Sequence, residues 1–313
     1  MVRQAQATPP SHPDTRTYPH AQPHAAAQSE PVGAVLDRTI PGPDGTTLAV
    51  RVYEPRTLDP AAGSPAPARR RPALVYFFGG GRTVGCLETG DGVCRALTNA
   101  AHCVTVSVRY RLAPEFPFPA AVEDCHAATR WVAEHAVELG VDPARIAVGG
   151  DEAGGNLAAA VALLARDTGP ALCHQLLVCP NIAGDAGTPW LGDHEDPQQD
   201  GHRVGWNWQQ YLAASEDRDD PYTSPLKADS LADLPAATVI TAELDPRRDE
   251  AEHYVLMLLA SGVPVDVRRF NGVPQGFFAL PAVYPAARVA QSYAAAGLAT
   301  AFAAAAGHQP SRR

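Results

Sequence analysis

The sequence predicts an α/β protein with a largely parallel sheet covered on both faces. Three observations carry that expectation. Short runs rich in β-formers, such as Ala73 to Phe78, alternate along the chain with longer segments whose apolar residues recur at helical spacing. The strand-like runs are apolar at nearly every position, as strands buried on both faces are. The length of 313 residues, with 45% apolar and 19% charged, is enough for one large α/β domain or two small ones.

Each element follows from its local sequence. Residues 1–31 are rich in Pro, Ala, Gln and His, offer little to bury, and read as a flexible tail. The folded domain is expected over 32–313. "AVLDRTI" and "TTLAVRVYEP" are two strands around the turn "PGPDG", and a Pro-rich loop follows them. "ALVYFF" is a buried strand that stops at Gly79–Gly80–Gly81, and "CVTVSVRY" is the next strand. "PAAVEDCHAATRWVAEHAVEL" has helical spacing and ends at Gly140. "RIAVGG" is a strand, followed by a helix in "AGGNLAAAVALLARD" that begins with small residues. "HQLLVCP" and "ATVITAELD" are strands, "RDEAEHYVLMLLASG" is a helix, and "VDVRRF" is the last strand. "AARVAQSYAAAGLATAFAAA" closes the chain as a helix, read as amphipathic and interrupted by Gly297 and Thr300. Residues 183–226 break the rhythm. With Trp190, Trp206, Trp208 and Tyr211 they read as a cap insertion.

Composition sets aside several classes of function. The formal charge is −9, and no Lys/Arg run is interleaved with aromatics, so neither nucleic acid nor an anionic membrane is an expected partner. No run of about 18 apolar residues suggests a membrane span. The six cysteines form no C-x-x-C pair and read as free thiols in a reducing cytoplasm. His20 and His24 have a metal-compatible spacing, but a polar tail explains them, and neither a metal nor a cofactor is expected. A small molecule is the expected partner, and a homodimer is left open.

Four segments lie just beyond strand ends, where open α/β sheets bind ligands. They are "FFGGGR", "GGDEAGG", "AELDPRRDE" and "NGVPQGFF". Together with "YRLAPEFPFPAAVED" and "DPARIAVGGDEAGGNLAA", they resemble the hormone-sensitive-lipase family of α/β-hydrolases, over nearly all of the chain from Val32 onward. The resemblance implies an eight-stranded, mostly parallel sheet with helices on both faces and a cap. It also implies ester hydrolysis by a serine on a strand–turn–helix elbow, a histidine and an aspartate, with backbone N–H groups holding the oxyanion.

Carried over residue by residue, the resemblance places the serine on Glu152, the histidine on Gln275 and the acid on Asp245. Phe78 stands for the histidine before the glycines, and Arg82 for the aromatic after them. Glu152 has no hydroxyl and Gln275 does not titrate near neutral pH, so serine-type turnover is not expected. The leading expectation is a cofactor-independent, non-hydrolytic enzyme. Glu152 would act as general acid/base on a small organic molecule in a cyclisation, dehydration or epimerisation. Gly79, Gly80, Gly81 and Ala153 would supply oxyanion donors. Arg82 would either pair with Glu152 or clamp an anionic group, and Gln275, oriented by Asp245, would position the substrate. Two alternatives stand beside it: a non-catalytic small-molecule binder, and an atypical hydrolase with Glu152 as nucleophile.

Overall fold

The computed structural model describes residues 30–56, 70–184 and 205–307. Residues 1–29 of the expected tail, His20 and His24 among them, lie outside these residues, as do Trp190 and residues 185–204 of the expected insertion. Eight strands form one sheet: β1 (Ala34–Pro41), β2 (Thr47–Glu54), β3 (Arg71–Phe77), β4 (Val104–Arg109), β5 (Val141–Asp151), β6 (His174–Val178), β7 (Ala237–Ala242) and β8 (Val265–Phe270). Their order is β1-β2-β4-β3-β5-β6-β7-β8. β1 and β2 run antiparallel, as do β2 and β4, and every other neighbouring pair is parallel.

Five helices cover the sheet: α1 (Asp91–Ala101), α2 (Ala120–Glu134), α3 (Ala153–Thr168), α4 (Arg248–Ala260) and α5 (Ala286–Gly307). Alternation along β3 shows how both faces fill. Ala73, Val75 and Phe77 pack with α2, α3 and α4, whereas Leu74 and Tyr76 pack with α1 and α5. All six cysteines are free thiols.

The sequence reading omitted α1. Its signal was present: Val93, Cys94, Leu97 and Ala101 recur at helical spacing after Gly90 and are all buried. α2 ends at Glu134, earlier than expected, and a run of turns leads to Gly140, whose φ of +64° closes the turn. α5 continues through Gly297. A Cβ there would lie 2.2 Å from Thr238 Oγ1, so the glycine lets the helix press onto β7 rather than interrupting it. By length and composition alone α5 is apolar enough to cross a membrane, a test that core helices also pass. Here its buried stripe of Ala287, Ala290, Ala294, Leu298 and Phe302 lies on the sheet and α1.

One close contact fixes the centre of the molecule. α3 starts directly above the end of β3, and a Cβ on Gly154 would sit 1.9 Å from Phe77 O. No side chain fits there without separating helix from strand. Gly154→Ala is expected to lose about 3 kcal/mol or more by urea unfolding, at the upper end of overpacking costs. Gly92→Ala, in open space on α1, is expected to gain about 0.5–1 kcal/mol from helix propensity. Equal midpoints for the two variants would refute the contact.

Candidate active site

Glu152 sits between β5 and α3 with φ 54° and ψ −115°, a conformation that costs a non-glycine residue about 1–3 kcal/mol. Three backbone bonds hold it there. Its N–H donates to Val178 O at 2.9 Å, and its carbonyl accepts from Asn156 N–H and Asn181 N–H, each at 3.2 Å. β6 therefore buttresses the bend. The side chain reaches the glycine loop, where Oε2 accepts from Gly80 N–H at 2.8 Å.

The loop is shaped by positive φ at Gly80 (122°), Gly81 (62°) and Arg82 (63°). The N–H groups of Thr83 and Val84 both donate to Gly80 O at 3.1 Å. Ala113 N–H donates to Arg82 O at 2.9 Å, and Tyr110 OH donates to Phe78 O at 2.7 Å. Residues 205–211 form a helix over this loop. Thr83 Oγ1 donates to Asn207 Oδ1 at 2.8 Å, and a Cβ on Gly81 would collide with Asn207 Nδ2 at 2.0 Å. The N–H groups of Gly81 and Ala153 donate to no acceptor among the described residues, and Ala153 N–H is one of the donors without an intrahelical partner that begin a helix.

Arg82 is 2% exposed. Its guanidinium lies over Trp208 at 4.2 Å and Tyr211 at 4.6 Å from the ring centroids. Burial pushes its pKa down, while the charge on Glu152 is among the influences opposing that shift. Among the described residues its Nε and Nη2 find no acceptor and it forms no ion pair with Glu152, whose Oε2 accepts from Gly80 N–H instead.

The other two expected residues are not joined. Gln275 Nε2 donates to Asn181 Oδ1 at 3.1 Å, and no hydrogen bond links Gln275 to Asp245 among the described residues. The expectation that Asp245 orients Gln275 is corrected: Asn181, at the end of β6, holds the amide. Asp245 Oδ1 instead accepts from Arg247 N–H at 2.9 Å, a local turn leading into α4. That helix begins at Arg248, two residues later than an Asp245 cap before Pro246 requires.

Asn181, Asn207 and Arg247 were not singled out from sequence. Asn181 carried a usable signal, since it follows Pro180 directly beyond a strand end, where ligands gather. Asn207 carried none, because its contact with Thr83 joins segments far apart in the chain, whereas the Arg247–Glu250 pair at i,i+3 was readable locally.

The site concentrates buried carboxyl groups. Burial pushes Asp245 up to about 7, against the pull of the Arg247 N–H and guanidinium, with the charges of Glu250 and Glu152 adding to the rise. Burial likewise pushes Asp151 up to about 6, although Tyr76 OH donates to it at 2.7 Å, and the Glu152 charge raises it further.

A family model described as alpha/beta hydrolase fold matches residues 74–279. "Esterase LipI" of Mycobacterium tuberculosis is 42% identical over 257 residues, covering 81% of this chain and 78% of that relative. An "Arylesterase" of Saccharolobus solfataricus is 37% identical, covering 82% of this chain and 81% of that relative. Among solved structures, the thermostable carboxylesterase EstE1, cloned from a metagenomic library, superposes with a TM-score of 0.83 at 41% identity. It covers 93% of this chain and 94% of its own.

These relatives overturn the expectation of a non-hydrolytic lyase, cyclase or epimerase, since at about 40% identity they are named esterases and point to ester hydrolysis. The Gly80 amide, one of the expected oxyanion donors, is occupied by Glu152 itself.

Asp245 and Asp151 bind their protons more tightly in the folded chain than in the unfolded one. Their contribution to stability is therefore fully present below the ordinary carboxylate range and is lost as pH rises through about 6 for Asp151 and about 7 for Asp245. Asp245→Asn mimics the protonated form. Its melting temperature relative to the parent is expected to improve by roughly 5 °C between pH 5 and pH 8. A difference that stays flat or reverses across that range would mean that the folded chain prefers Asp245 ionised.

Proposed function

The chain belongs to the α/β-hydrolase-fold family with esterase relatives, and from that premise we propose that it hydrolyses carboxylic esters with Glu152 as general base toward water. The observation that carries this reading is the Glu152 carboxylate at the elbow, with Oε2 fixed 2.8 Å from Gly80 N–H. By the resemblance of its motifs to the hormone-sensitive-lipase family, Glu152 falls on that family's serine position and Gln275 on its histidine position. A carboxylate cannot supply an alkoxide, but it can take a proton from water.

In this reading Oε2 stays anchored and Oε1, which accepts from no described residue, faces the water. Glu152 removes a proton as the water oxygen attacks the ester carbonyl. The oxyanion accepts from Gly81 and Ala153 N–H, since Gly80 is engaged. Collapse breaks the acyl C–O bond and releases the acid. The alcohol leaves as its anion and takes a proton from solvent, while Glu152 returns its own proton to solvent, giving an acid and an alcohol from ester and water. Gln275, held by Asn181, hydrogen-bonds the substrate or the water without titrating.

The same chemistry narrows the substrate. With no imidazole to protonate the leaving oxygen, the alcohol must be stable as an anion. Phenols, with pKa near 10, meet that need better than alkyl alcohols, so aryl esters are the favoured class. The helix over residues 205–211 would form part of the wall around the acyl or aryl group.

Turnover of phenyl acetate by the wild-type chain is expected to exceed buffer, and Glu152→Gln is expected to lower kcat by about 10²–10⁴-fold, the usual contribution of a general base. Reaction in ¹⁸O-water should place label in the acetate and none in the peptide that carries Glu152. Label in that peptide would assign the carboxylate as nucleophile instead. A wild-type rate equal to buffer, or a full rate in Glu152→Gln, removes the proposal.

A further inference from the structure

Resting on the ester-hydrolysis reading, we infer that Arg82 is an anion-recognition residue and that the preferred esters carry a free carboxylate. Arg82 is wholly enclosed, and its Nε and Nη2 find no acceptor among the described residues. Guanidinium groups stay charged, and enclosing an ion without a partner is among the least favourable arrangements in a protein. Stacking on Trp208 and Tyr211 offsets only part of that cost, because a π-face supplies no hydrogen-bond acceptor.

The identity of the two nitrogens points to the ligand. Nε and Nη2 share one edge of the guanidinium and project parallel N–H groups spaced for the two oxygens of a carboxylate. The same chain uses this edge in that way elsewhere. Arg51 donates from Nε and Nη2 to the two oxygens of Asp37 at 2.6 and 2.9 Å, and Arg111 donates from Nε and Nη2 to Asp124 at 2.8–3.0 Å. Arg82 presents the same fork with no acceptor among the described residues.

Its position ties the fork to the reaction. Arg82 directly follows Gly81, and its backbone adopts a φ of +63°, which holds it against the glycine loop. The Glu152 charge is close enough to act on the guanidinium. An ester whose carbonyl lies at Gly81 and Ala153 could therefore extend a carboxylate toward Arg82. Entry requires the 205–211 helix to lift, and the Thr83–Asn207 hydrogen bond of 2.8 Å is its tether to the loop.

Two matched pairs of esters test the inference. The first is 4-carboxyphenyl acetate against 4-carbamoylphenyl acetate. The second is phenyl hydrogen adipate against phenyl hexanoate. In at least one pair the charged ester is expected to show a KM about 10- to 100-fold lower. Arg82→Met should erase that ratio. Arg82→Lys, which keeps the charge without the fork, should shrink it at least about 5-fold, and it decides the matter if the methionine variant does not fold. Independently of turnover, adipate or 4-hydroxybenzoate at matched ionic strength should raise the wild-type melting temperature by several degrees, and Arg82→Met should lose that rise. Equal KM values in both pairs without a thermal shift overturn the anion site, even if neutral esters are hydrolysed. A shift that survives Arg82→Met overturns it too. An Arg82-dependent shift with no hydrolysis of any ester upholds the anion site and removes the hydrolysis reading instead.

Discussion

The site depends on how closely α3 approaches the end of β3. Gly150 and Gly154 leave room for the helix to begin against Phe77 O, where any side chain would collide. That approach forces a sharp bend between β5 and α3, and the residue at the bend must accept positive φ. β6 then stabilises the bend through Val178 O and Asn181 N–H. The Glu152 carboxylate is thus set by the packing of three strands and a helix, and its rotamer is fixed by a backbone amide of the neighbouring loop.

The electrostatics follow from the same packing. Three carboxyl groups converge where the sheet ends, and burial and mutual repulsion push two of them, Asp151 and Asp245, toward their neutral forms. Near them Arg82 and Arg247 are enclosed around Trp208. Arg247 is anchored by Ala183 O and by Glu250, each at 2.7 Å, while Arg82 relies on aromatic faces.

Most of the architecture could be read from periodicity and turn residues. The strands at Ala73–Phe78 and Arg145–Gly150 and the helix after Glu152 reported their positions locally, because each buries the face its own sequence paints. α1 escaped notice because its apolar positions are diluted by Asp91, Arg95 and Asn99 on the opposite face. The individual site residues were also legible as a set of strand-end segments. Their partnerships were not: Gln275 turned to Asn181 rather than to Asp245, and Arg82 turned to Trp208 and Tyr211 rather than to Glu152. The reaction class inferred from residue types alone is overturned by the esterase relatives, which point to ester hydrolysis.

Strand order, every long helix but α1, the glycine loop, and a carboxylate rather than a hydroxyl at the elbow were legible along the chain. These are local properties of side-chain size, backbone freedom and apolar spacing. Which hydrogen-bond donor each polar group meets was set by packing in three dimensions. Those choices depend on contacts between residues far apart in the chain, such as Gly80 with Glu152 and Gln275 with Asn181. A buried polar group takes whichever partner the packed sheet brings within about 3 Å, and no spacing along the chain encodes that distance.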